Sequence, residues 1–402
     1  MNPPTHAAVA ALYEQRLDWR FKGIPVAWQD ATAAQVLAAA PQLFDAGPTG
    51  PVCVLREPAL RHNLATMAAW CADRGVTIAP HGKTHMSPQL YARQAAAGAC
   101  AVTVATIGQA RVYRAFGVPA IVLANELVDA PGLSWLAAEL DADPDFSAVC
   151  WVDSVRGVQL MTSALTGADR RVDVCVEVGM AGGRTGCRTP AEVDEVARAA
   201  VASPRLRLVG VAGYEAARTG VRNDGAIAQV RSYLAEMRAT VTRLSGLFET
   251  DEVILTAGGS TYPDVVADEL AGAAARVILR SGCYLTHDDG LYAAASPLPL
   301  HPALQVWAPV VSRPEPELAL VMMGRRDISF DAGLPVPLHL PGARVTALND
   351  QHAYLASAGH RVEVGDWLGF GVSHPCTTFD KWQLIPVLDD ADHVVDLVRT
   401  FF

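Results

Sequence analysis

One lysine stands between two histidines in "TIAPHGKTHMSP", residues 77–88, with His81, Lys83 and His85 at alternate positions. A lysine amine forms Schiff bases with carbonyl compounds, and once released it can take a proton from carbon. The same run also reads as a polar surface turn or as a salt-bridged structural lysine. Far along the chain, "GVSHPCTTFDKW" carries His374 and Cys376 at spacing i, i+2. On an extended segment these side chains leave one face together, and imidazole with thiolate is a donor pair suited to zinc. Two ligands are fewer than the usual three or four, so a half-buried cysteine beside a histidine fits as well. A catalytic metal completed by water and substrate would resolve the shortfall. His352 in "NDQHAYL" is a further candidate for that neighbourhood, and equally reads as a surface histidine.

The elements that must position these groups follow a clear rhythm. From residue 76, short β-branched runs alternate with alanine-rich stretches of helical period. The runs are "VTIAPHGK", "AVTVATI", "AIVLANE", "SAVCWVDS", "VDVCVEVGM", "LRLVGVAGY", "VILTAGGS" and "RVILRSGCY". Between them the pattern predicts helices over Ser87–Ala97, Gly108–Phe116, Ala130–Leu140, Ser154–Leu165, Pro190–Val201, Asp224–Leu244 and Tyr262–Leu270. Strands alternating with helices imply parallel pairing and right-handed crossovers. Each run is apolar on both faces, as a helix-covered sheet requires. Eight such units predict an α/β fold, a TIM (β/α)8 barrel, which typically takes about 250 residues. A doubly wound open sheet is the alternative, although "APHGKT" lacks the glycine-rich turn expected after its first strand.

After residue 295 the texture changes. Prolines crowd positions 297 to 316, and short alternating segments follow: "ALQVWAPVVS", "LALVMM", "ARVTALND", "HAYLA", "HRVEVGDWLGF", "KWQLIPVL" and "HVVDLVRTF". This predicts a C-terminal all-β domain. The expected division is an N-terminal extension over 1–50, partly packed on the β domain and holding one or two helices and a short strand at "IPVAWQD". The barrel takes 51–292 and the β domain 293–402.

The chain is 51% hydrophobic and only 18% charged, against a usual charged share of about 25%. It therefore buries a large core. A net charge of −10, with no run of Lys and Arg, argues against the basic patch that nucleic acid or an anionic membrane would need. His6, Glu14 and Arg16 interrupt any apolar leader at the start, and no apolar run reaches the roughly 18 residues of a membrane span. The eight cysteines are scattered without a C-x-x-C pair, which leads us to expect reduced thiols and a cytoplasmic protein.

In a barrel the active site lies at the C-terminal strand ends. There the first run delivers His81, Lys83, Thr84 and His85, the second Thr106 and the third Asn125 and Glu126. The fifth delivers "GMAGGRTG" with Arg184, the sixth Tyr214, the seventh Gly258, Gly259 and Ser260, and the eighth Arg280 to Tyr284. The loops after the seventh and eighth strands commonly bind phosphate through backbone N–H groups, and glycine allows close approach. A lone "GGS" is also an ordinary turn. A lysine facing a phosphate site suits a Schiff base to pyridoxal phosphate.

"PHGKTHMSPQLYARQAAAGACAVTVATIGQARV", "ANE", "GMAGGRTG", "GYE", "AGGSTYPD", "LRSGCYLTHD" and "HPC" occur in that order between residues 20 and 395. Together they resemble the fold-type III pyridoxal-phosphate enzymes of the D-threonine aldolase and D-serine dehydratase family, whose barrel is alanine racemase-like and is paired with a β domain. The resemblance implies that Lys83 carries the cofactor, with His81 positioned beside it. It implies that Tyr214, Gly258, Gly259 and Ser260 contact the phosphate, with Gly282 and Cys283 adding N–H donors. Arg280 would face the pyridine nitrogen, with Arg184 as a rival contact.

His374 and Cys376 match the two protein ligands of a divalent metal, zinc before manganese or magnesium because thiolate is soft. A homodimer acting on a small D-amino acid is implied as well. Family aldolases tend to carry His-x-Asp where dehydratase-like members carry His-x-Cys, so the resemblance favours dehydration over retro-aldol cleavage. A racemase, a non-catalytic cofactor carrier and a metal hydrolase on the same barrel are the remoter alternatives.

Overall fold

The computed structural model describes residues 6–217 and 220–402. Two compact units share the chain, one built from residues 68–83 and 94–282, the other from 6–67, 84–93 and 283–402.

The first unit is the expected (β/α)8 barrel. Its eight strands are Thr77–Ile78, Val102–Val104, Ala120–Glu126, Ser147–Val152, Val172–Val178, Leu206–Gly213, Ile254–Thr256 and Arg276–Leu279. All neighbours pair parallel, and the eighth strand returns to the first through Thr77↔Ile278 and Ile78↔Leu279. A parallel bridge of His81 to Thr103 joins the first strand's end to the second, so the ring has no open edge. The burial pattern explains the composition of the runs. In Val172–Val178 every residue except Asp173 is buried, because one face fills the barrel and the other meets helices.

The helices begin where short polar side chains stop the strand-to-helix loops. Thr106, Asp129, Ser154, Thr189 and Asn223 each accept a hydrogen bond from the backbone N–H three residues on. Such caps stabilise a helix start by about 1 kcal/mol each. Thr189 and Glu192 form a complete capping box ahead of helix Pro190–Ala202. These caps fix where each loop ends, and hence which residues reach the C-terminal rim. Thr106 serves in this way as the cap of helix Ile107–Ala115.

The second unit is an all-β assembly with an N-terminal wrapping. Its sheet runs through Leu304–Glu315, which pairs antiparallel with Leu318–Val321 and with Trp367–Gly371. Val52–Arg56 lies between Leu304–Glu315 (Val52↔Trp307) and Leu384–Leu388 (Leu55↔Val387, parallel). Leu17, Phe21, Ile24 and Trp28 pack with Leu384, Leu388 and Leu397 in one apolar cluster. This corrects the expected domain limits. Residues 51–67, 84–93 and 283–292 group with the β unit; for Val52–Arg56 the reason is its ladder with Leu304–Trp307 and Val387–Leu388. Two local expectations also change. "IPVAWQD" holds a 3-10 turn, Val26–Trp28, in place of a strand. Only Trp367–Gly371 of "HRVEVGDWLGF" is a strand.

All eight cysteines are free. Among the described residues no helix is long and apolar enough to cross a membrane.

Candidate active site

In the barrel unit, Lys83 sits in the 3-10 turn that follows the first strand and is exposed. The turn is pinned from below: Tyr113 Oη donates to the Gly82 carbonyl at 2.8 Å, and a Cβ on Gly82 would land on the Tyr113 ring. Only glycine fits there. The whole chain has three lysines. Lys22 pairs with Asp327 and Lys381 with Asp380, whereas Lys83 has no ion pair or hydrogen bond among the described residues. His81 holds a buried Nδ1 without a partner among the described residues. Burial, followed by the charges of Lys83 and Arg280, keeps its pKa well below the usual imidazole range, so the ring is neutral.

Arg280 follows the eighth strand and is buried inside the barrel. It donates to Thr256 Oγ1 at 2.5 Å and to the Gly213 carbonyl at 2.6 Å. Glu215 and Glu177 supply the opposing charge. Tyr214 is half-buried, with the Arg184 guanidinium 4.5 Å from its ring centroid, a cation–π arrangement.

The glycine loop departs from expectation. Gly258 N–H and Gly259 N–H both donate to the Glu215 carboxylate, at 2.9 and 2.8 Å. These donors are therefore engaged by a side chain from the neighbouring strand's end and are not open to phosphate. Gly258 itself is required, since its φ of +96° lies in the left-handed region and a Cβ would meet Leu279. The backbone N–H groups of Ser260 and Gly282 have no partner among the described residues. An unpaired amine, a buried guanidinium and the open N–H groups of Ser260 and Gly282 fit pyridoxal phosphate.

Glu126, Asp153 and Glu177 bring carboxylate oxygens within 4.8 Å of one another at the ends of the third, fourth and fifth strands. Among the described residues, neither oxygen of Glu126 meets a hydrogen-bond donor. Burial first, and the Glu177 charge second, push the Glu126 pKa up to about 8. Of these three, only Glu126 had been placed at the rim, because Asp153 and Glu177 are concealed in the runs "SAVCWVDS" and "VDVCVEVGM".

In the β unit, His374 and Cys376 do come together, but not on an extended segment. Pro375 has helical dihedrals and Cys376 opens the short helix Cys376–Phe379, as a fixed proline φ allows at a helix start. His374 Nδ1 lies 2.8 Å from Asp331 Oδ2, and Thr377 donates to Asp331 Oδ1 at 2.6 Å. His374 N–H donates to Ser329 Oγ at 3.1 Å. A carboxylate on Nδ1 fixes the ring and leaves Nε2 free for a metal.

Burial opposes the His374 charge, but the hydrogen bond and charge of Cys376 and of Asp331 outweigh it and raise the pKa to about 9. A hydrogen bond from Cys283, and then His374, hold the Cys376 thiol well below its usual range. Cys283 was expected to serve through its N–H. Its Sγ instead lies 3.5 Å from Cys376 Sγ, and the ligand atoms of Cys283, His374 and Cys376 all fall within 4.8 Å of one another. His85 is buried, accepts from Ser87 N–H and meets the Phe379 ring edge-on, which gives it a structural role in this unit. His352 is exposed and stands outside the group.

Residues 31–262 match the alanine racemase N-terminal domain, and residues 303–388 match the putative serine dehydratase domain. The chain is 28% identical over 342 residues to a D-threonine aldolase from Arthrobacter sp., covering 85% of this chain and 89% of that one. The structure of D-threonine aldolase from Filomicrobium marinum superposes with a TM-score of 0.78 at 24% identity, covering 96% and 98% of the two chains. D-threo-3-hydroxyaspartate dehydratase from Delftia sp. HT23 gives a TM-score of 0.72 at 21% identity, covering 88% and 97%. A variant of a dehydratase of that name is also known in a metal-free form.

Proposed function

We propose, since the chain belongs to the alanine racemase-like pyridoxal-phosphate enzymes of the D-threonine aldolase and D-serine dehydratase family, that it is a lyase that dehydrates a D-β-hydroxy amino acid to a 2-oxo acid and ammonia. The observation that carries this reading is the His374–Cys376 pair backed by Asp331, a soft donor set where aldolases of the resemblance carry a carboxylate.

When bound, pyridoxal phosphate supplies an electron sink for charge at Cα, and a divalent metal supplies a Lewis acid for the β-hydroxyl oxygen. Lys83, Tyr214, Ser260 and Gly282 would hold the cofactor, and Arg280 would face its ring nitrogen. Lys83, free of ion pairs, carries the proton taken from Cα. Arg280 remains a cation opposite Glu215 and Glu177, so it disfavours a second positive charge beside it. His374 Nε2 and the Cys376 thiolate would hold the metal, and Asp331 keeps the imidazole in the tautomer that permits this. Zinc is favoured over manganese or magnesium because thiolate is soft.

Retro-aldol cleavage to glycine and an aldehyde is the second reading, favoured by the 28% identity to a protein named D-threonine aldolase. Incubation with D-serine, D-threonine, D-3-hydroxyaspartate and D-phenylserine separates the two. Oxo acid with ammonia is the expected outcome, and glycine with aldehyde would overturn it. A homodimer, testable by light scattering, and a reducing, cytoplasmic setting belong to the same proposal; the eight free cysteines support the setting.

A further inference from the structure

The Cys283 thiol has no role in the reaction as written above, yet the β unit places it beside the metal-ligand pair. Residues 283–291 are drawn to the segment that carries His374 and Cys376 by backbone hydrogen bonds. Asp289 N–H donates to the Val372 carbonyl at 2.9 Å, and Leu291 N–H donates to the Ser373 carbonyl at 3.1 Å. Gly290 makes that approach possible, because a Cβ there would press on Ser373 Cα at 2.8 Å. The turn that presents Cys283 is itself fixed. His287 N–H donates to the Cys283 carbonyl at 2.7 Å, and Asn63 Nδ2 donates to the Leu285 carbonyl at 3.0 Å.

The resulting sulfur positions can be compared with what a metal demands. Zinc–sulfur bonds of about 2.3 Å in a tetrahedral set put two thiolates about 3.8 Å apart. The Cys283 and Cys376 sulfurs are 3.5 Å apart, and both lie within 4.8 Å of the His374 ring nitrogen. A disulfide would require about 2.05 Å, so the pair is not a disulfide and is spaced as ligands are. Thr84 Oγ1 lies 3.8 Å from Cys283 Sγ and 3.5 Å from Cys376 Sγ, a polar neighbour that both sulfurs share.

We infer that Cys283 is a third protein ligand, so that the metal is held by Cys283, His374 and Cys376 with one tetrahedral position left for a substrate oxygen. This rests on the metal reading of His374 and Cys376 proposed above. Three protein ligands and one open position is the arrangement of catalytic zinc. Two thiolates also turn the site away from magnesium and manganese, which prefer oxygen donors. A single vacancy further predicts that the substrate binds the metal through one oxygen and does not chelate it.

Zinc K-edge X-ray absorption on the intact holoenzyme counts sulfur neighbours without any substitution. We expect two sulfurs at about 2.3 Å, falling to one in Cys283→Ser. Zinc retention against a competing chelator should drop by at least about 100-fold in that variant, more than loss of an outer-shell partner costs. One sulfur in the unsubstituted enzyme, or two that persist in Cys283→Ser, would overturn the assignment while leaving the metal site in place. A protein that retains no metal, or one whose metal has no sulfur neighbour, would overturn the metal reading itself.

Discussion

Asp331 offers the sharpest handle on the β-unit site, because it touches the proposed ligand His374 only through the far edge of its ring. Its Oδ2 lies 2.8 Å from His374 Nδ1, and its Oδ1 accepts from Thr377 Oγ1 at 2.6 Å. Asp331→Asn keeps this shape: the amide oxygen can accept from Nδ1–H while the amide nitrogen meets the Thr377 hydroxyl as an acceptor. What it removes is the charge. Outer-shell partners of a metal-bound histidine are worth about 10–100-fold in affinity, or about 1.4–2.7 kcal/mol. The Asp331 side chain is 44% exposed, which places the charge contribution near the lower end. We therefore expect Asp331→Asn to weaken zinc binding by about tenfold, and Asp331→Ala, which also frees the ring to turn, to approach 100-fold. Competition against a chromophoric zinc chelator measures both, and activity at saturating zinc should recover more in the Asn variant than in the Ala variant. Zinc affinities within twofold of the parent for both variants would refute the carboxylate–histidine–metal arrangement.

Three further outcomes follow from the barrel unit. Gly82→Ala should destabilise the protein by about 1–3 kcal/mol and lower cofactor occupancy, because the new methyl displaces the Tyr113 ring that pins the Lys83 turn; thermal unfolding and visible absorbance report the two effects. Glu126 carries a pKa raised from 4.5 to about 8 by burial and by Glu177, with Asp153 also facing it. The folded chain then holds a proton that the unfolded chain has lost between those values, so stability is fully present at lower pH and falls as pH rises toward 8. Glu126→Gln should flatten that slope in denaturant titrations across pH 5–8, and an unchanged slope would remove the crowding argument. Glu215→Gln should release one of the two glycine N–H groups it binds and destabilise the seventh-strand loop by about 1–3 kcal/mol, read as a lower midpoint of urea unfolding.

The barrel was legible because its signals are local. Continuous apolar runs mark strands covered on both faces, and the caps at Thr189 and Asn223 mark helix starts to within a residue. What escaped the sequence depends on distance. Val52–Arg56 falls inside the expected barrel span 51–292, yet its partners are Leu304–Trp307 and Val387–Leu388, and no local pattern encodes that ladder. Gly258 and Gly259 were read as a phosphate cradle because glycine N–H groups suit anions, but the anion they meet is Glu215, from the end of the adjacent strand. Cys283 was read as a backbone donor, since the pairing that carries its thiol to Cys376 spans 93 positions of chain. Lys83 was found from its neighbours in sequence, and the structure adds that its two rivals are already paired.

That scarcity of lysine makes the central claim directly measurable. Borohydride reduction of the cofactor-replete enzyme, followed by peptide mass spectrometry, reads which amine carries pyridoxal phosphate among Lys22, Lys83 and Lys381. The reduced cofactor is expected on Lys83 alone, with loss of visible colour in Lys83→Ala. Attachment at Lys22 or Lys381, or none in a preparation that turns over a D-amino acid, would contradict it.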